Sequence, residues 1–172
     1  MKAARVLQYG PPGVITRDDV PQPEPGAGQL LIRVEAAGVG NWDALIRAGE
    51  LKLEPLPLIL GAEISGIVEA TGAEVSGFKP GDEVYGATNP QFSGGYAEHA
   101  VPFAGMIARK PNTLNFVEAA SAPIGSDPGC HGLADAVRIW PGNRRADHSH
   151  SRSSRKCWRL TPSNWPGRLG SM

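Results

Sequence analysis

The composition of the chain changes abruptly near residue 141, and this change limits the part that can fold as one domain. Residues 1–140 alternate short apolar segments with turns and contain 10 Lys and Arg against 16 Asp and Glu, a net charge of −6. Residues 141–172 contain 7 Lys and Arg against 1 acidic residue, a net charge of +6, and show no hydrophobic periodicity. Because so short and polar a segment cannot bury a core of its own, we expect one domain in residues 1–140 and a basic, disordered tail in residues 141–172.

Turn-forming residues are abundant and favour a β-rich fold. The 172 residues include 22 Gly and 16 Pro, which is typical of sheets with many tight turns rather than of helical proteins. Cys130 and Cys157 have no CxxC partner, so they predict neither a disulfide framework nor a zinc site. No apolar run approaches the roughly 20 residues of a membrane span, and the first residues are typical of a strand rather than a signal peptide. We therefore expect a cytoplasmic protein without a membrane partner.

Strand patterns recur along residues 1–110. Residues 2–9 and 14–20 predict a hairpin around a turn of Gly and Pro. Residues 29–39 form the strongest strand pattern, and period-two alternation places Leu31, Arg33 and Glu35 on its solvent face. Further strands are predicted over residues 61–70, 94–101 and 106–110, and residues 78–84 predict a turn followed by a strand. The predicted fold class is therefore mainly β with short helices.

Three short helices are predicted between and after these strands. The first covers residues 42–48, with Asn41 as its N-cap and Gly49 just past its end. The second covers residues 115–122, where Asn115 and Glu118 have the spacing of a capping box. The third covers residues 133–139.

Several short motifs occur in a fixed order along residues 36–120 and together resemble one protein family. They are Ala36-Ala37-Gly38-Val39, Gly61-x-Glu63-x-x-Gly66, Phe78-x-x-Gly81-Asp82, Gly94-Gly95-Tyr96-Ala97-Glu98 and Phe116-x-Glu118-Ala119-Ala120. Each motif alone is weak, but five in register are specific. Over residues 1–140 the chain resembles the N-terminal catalytic domain of medium-chain dehydrogenase/reductases, in the zinc-free quinone-oxidoreductase branch.

The resemblance implies both a fold and an activity. In this family the N-terminal domain is a chaperonin-10-like, partly open barrel that forms one wall of a cleft. A Rossmann domain forms the other wall and holds the NADPH or NADH pyrophosphate at a glycine-rich turn. The implied activity is a reduction of a small-molecule quinone, enone or carbonyl by hydride transfer. The zinc ligands of related alcohol dehydrogenases are replaced here by Gly40 and by Ala62, so we expect no zinc.

Three residues are candidates for the substrate cleft on this resemblance: Asn41, Asp43 and Glu63. Each also has a structural interpretation, and both stay open at this point. Asn41 is a helix cap or a substrate contact, taking the space of the asparagine that many relatives have at the position of Gly40. Asp43 matches a family carboxylate, yet a carboxylate in the first helical turn is favourable whatever its function. Glu63 is a structural hydrogen-bond acceptor or a cleft residue.

Other polar and aromatic residues of the pattern are expected to be structural. Trp42 and Tyr96 are expected to belong to the core, and His99 to be solvated or satisfied by a neighbouring group. No residue is identified as catalytic.

The resemblance stops after Pro141-Gly142, where the phosphate-binding loop of the family is absent. With suitable codons, Arg155-Lys156-Cys157-Trp158 read one base later encodes a glycine-containing loop of that kind. Asn164-Trp165-Pro166 read two bases later gives Leu-Ala whatever the codons. We therefore interpret the residues from about 143 onward as a frameshifted remnant of the nucleotide-binding domain. The alternative for this tail is an arm that binds nucleic acid through its basic residues.

Two hypotheses about function follow. The first is the substrate-side half of an NAD(P)H-dependent oxidoreductase with the Rossmann domain missing, which predicts NADPH-dependent turnover only when that domain is restored. The second is a non-catalytic lone barrel, a pseudogene fragment or at most a binding module, which predicts no nicotinamide binding by the 172-residue chain. Both predict an exposed apolar surface and poor solubility.

Overall fold

The computed structural model describes residues 1–52 and 55–124 and the backbone of residues 157–159. The strands are β1 (Lys2–Val6), β2 (Ile15–Asp19), β3 (Leu30–Gly38), β4 (Leu58–Ile59), β5 (Glu63–Thr71), β6 (Glu83–Ala87), β7 (His99–Ala100), β8 (Ile107–Arg109) and β9 (Cys157–Arg159). The helices are α1 (Asn41–Ala48) and α2 (Phe116–Ala120), and single 3-10 turns cover Pro12–Val14 and Ala104–Met106. The helix predicted over residues 133–139 lies outside the described residues.

The strands form two antiparallel sheets that do not close into a barrel. A three-stranded sheet has the order β2-β1-β4, and a six-stranded sheet has the order β7-β3-β5-β6-β8 with β9 also paired to β3. Every pair of strands in the described part of the chain is antiparallel. The predicted hairpin is confirmed, because β1 pairs with β2 from Lys2 opposite Asp19 to Val6 opposite Ile15. The mainly β fold class with short helices is confirmed as well.

The hydrophobic core lies under the central strands of the larger sheet. Its largest fully buried members are aliphatic side chains from β1, β3, α1, β5 and β6 and from the connection between β4 and β5: Val6, Leu30, Ile32, Ile46, Leu60, Ile64, Val68 and Val84. Burial of a side chain of this size contributes about 1.5–3 kcal/mol. The core therefore stabilises the same strands that end at the candidate site.

One face assignment in β3 is wrong. Leu31 was expected on the solvent face with Arg33 and Glu35, but it is only 7% exposed, whereas Arg33 is exposed and Glu35 is partly exposed. The register between β3 and β5 shifts between Leu31 and Ile32. A bulge of this kind breaks the two-residue alternation, so the pattern that holds from Ile32 to Ala36 does not extend to Leu31.

β3 has partners along both of its edges. β5 runs along one edge from Leu30 to Gly38. On the other edge β7 pairs only with Ile32 and Arg33, and β9 pairs with Ala36–Gly38. The backbone of residues 157–159 pairs with the open part of this edge, where a strand offers unpaired N–H and C=O groups to a short extended segment. The rest of the tail lies outside the described residues.

The N-cap predicted for α1 is wrong, whereas the capping box predicted for α2 is confirmed. The N-cap of α1 is Gly40 and not Asn41, which is already the first helical residue. The Gly40 N–H donates to Asp43 Oδ2 at 2.8 Å, so the carboxylate satisfies the helix end and no capping side chain is needed at position 41. α2 has the predicted capping box: the Glu118 N–H donates to Asn115 Oδ1 at 3.0 Å, and the Asn115 N–H donates to Glu118 Oε2 at 2.9 Å.

Both helices are short. Within residues 1–52 and 55–124, no helix has the length and apolar character that crossing a lipid bilayer requires.

Candidate active site

Three strands of the larger sheet begin or end at the same level. β3 ends at Gly38, which lies opposite Glu63 at the start of β5, and Glu63 lies opposite Ala87 at the end of β6. The connections 39–40, 60–62 and 88–94 therefore leave the sheet on one side, and α1 begins there. We call this region, formed by residues 38–43, 60–63 and 87–94, the loop end. It contains all three candidate residues.

Asp43 joins two segments of the loop end, residues 38–43 and 60–63, to the core residue Tyr96. Its side chain is only 4% exposed. Oδ2 accepts hydrogen bonds from the Gly40 N–H at 2.8 Å and from the Tyr96 hydroxyl at 2.9 Å, and Oδ1 accepts one from the Gly61 N–H at 3.1 Å. Burial raises the pKa of Asp43 above its ordinary value of 3.8, while these three donors act in the opposite direction. The carboxylate is therefore a buried structural acceptor.

Further hydrogen bonds hold the loops on either side of Asp43. The Thr88 hydroxyl donates to the carbonyl oxygens of Gly61 and Ala62 at 3.3 and 3.2 Å. The Gly95 N–H donates to the Gly61 carbonyl oxygen at 2.9 Å. Tyr96 is buried in the hydrophobic core, and its hydroxyl reaches Asp43 from there. The core position expected for Tyr96 is thus confirmed.

Glu63 ties the loop end to the segment that follows α2. Its side chain is 3% exposed, and Oε1 accepts a hydrogen bond from the Ile124 N–H at 2.7 Å. A Cβ placed on Gly38 would lie 2.9 Å from Glu63 Oε2 and 2.7 Å from the carbonyl oxygen of Ala120. The end of β3 therefore packs closely against Glu63 and against the end of α2. The hydrogen bond of Glu63 to the Ile124 N–H is structural.

Asn41 differs from the other two candidates because its side chain is exposed. It lies in the first turn of α1, beside Gly40 and two residues before Asp43. The structure thus brings Asn41, Asp43 and Glu63 to one end of the sheet, but of these three only Asn41 presents its polar group to solvent.

Two aromatic residues complete the loop end, and one of them was missed in the sequence. Trp42 is partly buried against the core, as expected. Phe92, in the 88–94 connection, is 39% exposed, and its ring centroid lies 6.3 Å from that of Trp42 with an interplanar angle of 39°. The only sequence signal near Phe92 is the turn-forming pair Asn89-Pro90, which predicts a loop but not an aromatic contact with a residue 50 positions earlier.

His99 lies on a different part of the sheet. It is opposite Arg33 in the β3–β7 pair, and its Nε2 is 3.1 Å from Glu69 Oε2. The expectation that this histidine is satisfied by a neighbouring group is confirmed for Nε2.

A cavity of about 310 Å³ borders the loop end. Thr88, Asn89 and Ser93 contribute to its wall from the 88–94 connection, whereas Asn41, Asp43 and Glu63 do not line it. This volume is at the small end of the range for ligand pockets. Of the loop end, only the 88–94 connection contributes to the wall of this cavity.

The described residues do not fit a metal or a dinucleotide. Among residues 1–52 and 55–124 no group of three or more His, Cys, Asp or Glu is close enough to hold a metal ion. A pyrophosphate site needs a free helix N-terminus beside a parallel sheet. All described strand pairs are antiparallel, and the N-termini of α1 and α2 already bind the carboxylates of Asp43 and Glu118.

Comparison with known proteins identifies the family. Residues 26–112 match the model of the alcohol dehydrogenase GroES-like domain. The chain is 37% identical to the quinone oxidoreductase of Mus musculus over 153 residues, which cover 88% of this chain and 46% of the mouse protein. The chain thus spans less than half the length of this curated relative.

Solved structures show the same relation. The quinone oxidoreductase from Coxiella burnetii matches with a TM-score of 0.69 and 36% identity, covering 72% of this chain and 41% of that one. The Escherichia coli quinone oxidoreductase complexed with NADPH matches with a TM-score of 0.67 and 27% identity, covering 71% of this chain and 37% of that one. The expected chaperonin-10-like fold is thereby confirmed. The chain belongs to the medium-chain dehydrogenase/reductase superfamily, as a GroES-like domain of the quinone-oxidoreductase-like branch.

Proposed function

We propose that this chain carries the acceptor-binding domain of an NAD(P)H-dependent, zinc-independent oxidoreductase that reduces a small quinone, enone or carbonyl compound. The observation that supports this most directly is the loop end, where exposed polar and aromatic side chains stand on a tightly hydrogen-bonded frame in a domain of the quinone-oxidoreductase-like branch. Binding residues are characteristically held on loops by a rigid scaffold of this kind.

The three candidate residues then have different roles. Asn41 is the exposed one, and its side-chain amide is a hydrogen-bond donor suited to the oxygen of a carbonyl or quinone. Asp43 and Glu63 are buried and accept hydrogen bonds from the backbone. We assign them to positioning the loops and not to contact with the acceptor.

The reductant in this proposal is NADPH or NADH, which supplies hydride when bound. Because the described residues offer no pyrophosphate site, its binding would require residues outside them. The absence of a ligand atom at Gly40 and Ala62 supports zinc-independence. Because the sequence lacks the phosphate-binding loop motif of the family, we expect this chain alone to bind an acceptor and not to oxidise NADPH.

The test measures both properties on the full chain. Binding of 1,4-naphthoquinone is followed by saturation-transfer NMR, and turnover by the absorbance of NADPH. We expect naphthoquinone binding that weakens in Asn41→Ala and is unchanged in Asn112→Ala, an exposed asparagine outside the loop end, with no NADPH oxidation in any variant. Absence of binding to both naphthoquinone and the aliphatic enone 3-penten-2-one would refute the proposal and favour a non-catalytic domain. That second candidate is supported by the exclusively antiparallel pairing of the described strands.

A further inference from the structure

Phe92 has a backbone conformation that a bulky side chain rarely adopts. Its φ is 55°, in the left-handed region, where residues other than Gly are disfavoured and large ones are outliers. Such residues persist only where the surrounding structure imposes them, and they concentrate at ligand sites. The position of Phe92 therefore requires a physical cause within its loop.

The side chain of Asn89 provides that cause. Asn89 Oδ1 accepts hydrogen bonds from the N–H groups of Gln91 and Ser93 at 2.9 and 3.3 Å, and Nδ2 donates to the Ser93 carbonyl oxygen at 2.9 Å. The Phe92 N–H donates to the Asn89 carbonyl oxygen at 3.1 Å, and the Gly94 N–H donates to that of Ile59 at 2.7 Å. One asparagine thus closes the turn around Phe92, and β4 holds its far end.

Trp42 meets Phe92 from the other side of the loop end. A Cβ on Gly40 would overlap the indole ring, so the absence of a side chain at position 40 is what allows the ring to lie there. The indole Nε1 is buried and has no acceptor within the described part of the chain. Val39, immediately before Gly40, is a further exposed apolar residue, at 40%.

Phe92, Trp42 and Val39 thus form an exposed apolar surface whose conformation is fixed by the surrounding hydrogen bonds. A mobile loop tip would not need the Asn89 clamp, and a core contact would not leave Phe92 in solvent. With a centroid separation of 6.3 Å and an interplanar angle of 39°, the two rings form a tilted pair, within the 4.5–7 Å range of interacting aromatic rings.

We propose that Trp42 and Phe92 form an aromatic platform that stacks the planar conjugated ring of the acceptor, and that this platform makes the site selective for quinones over aliphatic enones. The inference rests on the proposed function and narrows its substrate class. Aromatic rings attract one another in offset-stacked or edge-to-face arrangements beyond the effect of the buried area alone. An aliphatic enone offers no ring for this contact.

The experiment compares two probes on the full-length chain, 1,4-naphthoquinone and 3-penten-2-one, with dissociation constants from NMR titration. Phe92→Ala is expected to weaken naphthoquinone binding about tenfold, equivalent to about 1.4 kcal/mol, and to leave the affinity for 3-penten-2-one unchanged. Trp42→Phe, which keeps a ring, is expected to have the smaller effect. The matched control is Phe103→Ala, because Phe103 is an exposed phenylalanine paired with Gln29 at the opposite end of β3.

The outcomes separate this inference from the proposed function. If naphthoquinone binds but Phe92→Ala changes its affinity by less than about twofold, or if Phe103→Ala weakens it equally, the aromatic platform is refuted and the proposed function stands. If the unmodified chain binds neither probe, the proposed function fails as well. Far-UV circular dichroism and thermal melts confirm that each variant is folded, which the exposure of both phenylalanines favours.

Discussion

Removal of the Tyr96 hydroxyl tests whether Asp43 is the structural centre of the loop end. Tyr96→Phe keeps the ring in the core and deletes only the donor 2.9 Å from Asp43 Oδ2. Asp43 retains the N–H groups of Gly40 and Gly61 as donors, so its carboxylate is not left without partners. The variant therefore measures one buried, charge-assisted hydrogen bond.

The magnitude follows from the burial of both partners. A hydrogen bond to a charged group contributes about 1.5–3 kcal/mol, and neither Tyr96 nor Asp43 is screened by solvent. We expect the free energy of unfolding to fall by about 2 kcal/mol and the melting temperature by roughly 5–10 °C for a domain of this size. Because the Tyr96 hydroxyl lowers the pKa of Asp43, its loss raises that pKa further.

The change in pKa gives the variant a distinctive pH dependence. The hydroxyl stabilises the charged carboxylate, so its loss costs less once Asp43 is protonated. The difference in unfolding free energy between the unmodified chain and Tyr96→Phe should therefore shrink as the pH falls through the raised pKa of Asp43.

Urea unfolding at several pH values measures both quantities, and Tyr85→Phe is the control. Tyr85 is half-buried, and its hydroxyl makes no hydrogen bond within the described part of the chain, so its variant should lose less than about 0.5 kcal/mol. The reasoning is refuted if Tyr96→Phe is as stable as Tyr85→Phe, or if its deficit grows towards acid pH.

Two further predictions concern the stability of the folded domain. In Asp43→Asn the pH dependence that Asp43 gives to the unfolding free energy should disappear. Because the folded pKa of Asp43 is raised above 3.8, its contribution to stability is fully present below the unfolded pKa and is lost as the pH rises through the folded pKa. Urea unfolding from about pH 3 to about pH 7 should therefore show a flatter dependence of stability on pH for the variant. Gly66→Ala should destabilise by about 3 kcal/mol or more, since the new Cβ would overlap the carbonyl oxygen of Arg33 on β3. Gly105→Ala, where a Cβ meets nothing within 4 Å, should melt within about 2 °C of the unmodified chain.

Features decided by neighbours in sequence could be predicted. The capping box of Asn115 and Glu118 depends on residues three positions apart, and the β1–β2 hairpin depends on its turn. The cap of α1 shows the limit of such reasoning. Asn41 has the right residue type, but Asp43 satisfies the Gly40 N–H instead, and two competing local solutions cannot be ranked from residue type alone.

The features that shape the candidate site depend on distant residues. Asp43 meets Gly61 and Tyr96, which are 18 and 53 positions away, and Phe92 meets Trp42. No periodicity or motif encodes these contacts, because they arise only when β3, β5 and β6 are brought into register. The sequence could therefore place Asn41, Asp43 and Glu63 in one region without distinguishing the exposed amide from the two buried carboxylates.

This division of roles has a consequence for how binding and reduction relate. The hydrogen bonds of Asp43, Thr88 and Asn89 that shape the loop end all lie within residues 40–96. The proposed acceptor surface thus needs no nucleotide-binding element for its own geometry, although reduction does. A variant that disrupts the Asp43 hydrogen bonds should abolish naphthoquinone binding by releasing the loops, whereas Phe92→Ala should weaken binding in a domain of unchanged stability. Comparing naphthoquinone affinity with unfolding free energy in the same variants therefore distinguishes residues that position the loops, such as Asp43, from residues that contact the acceptor, such as Phe92.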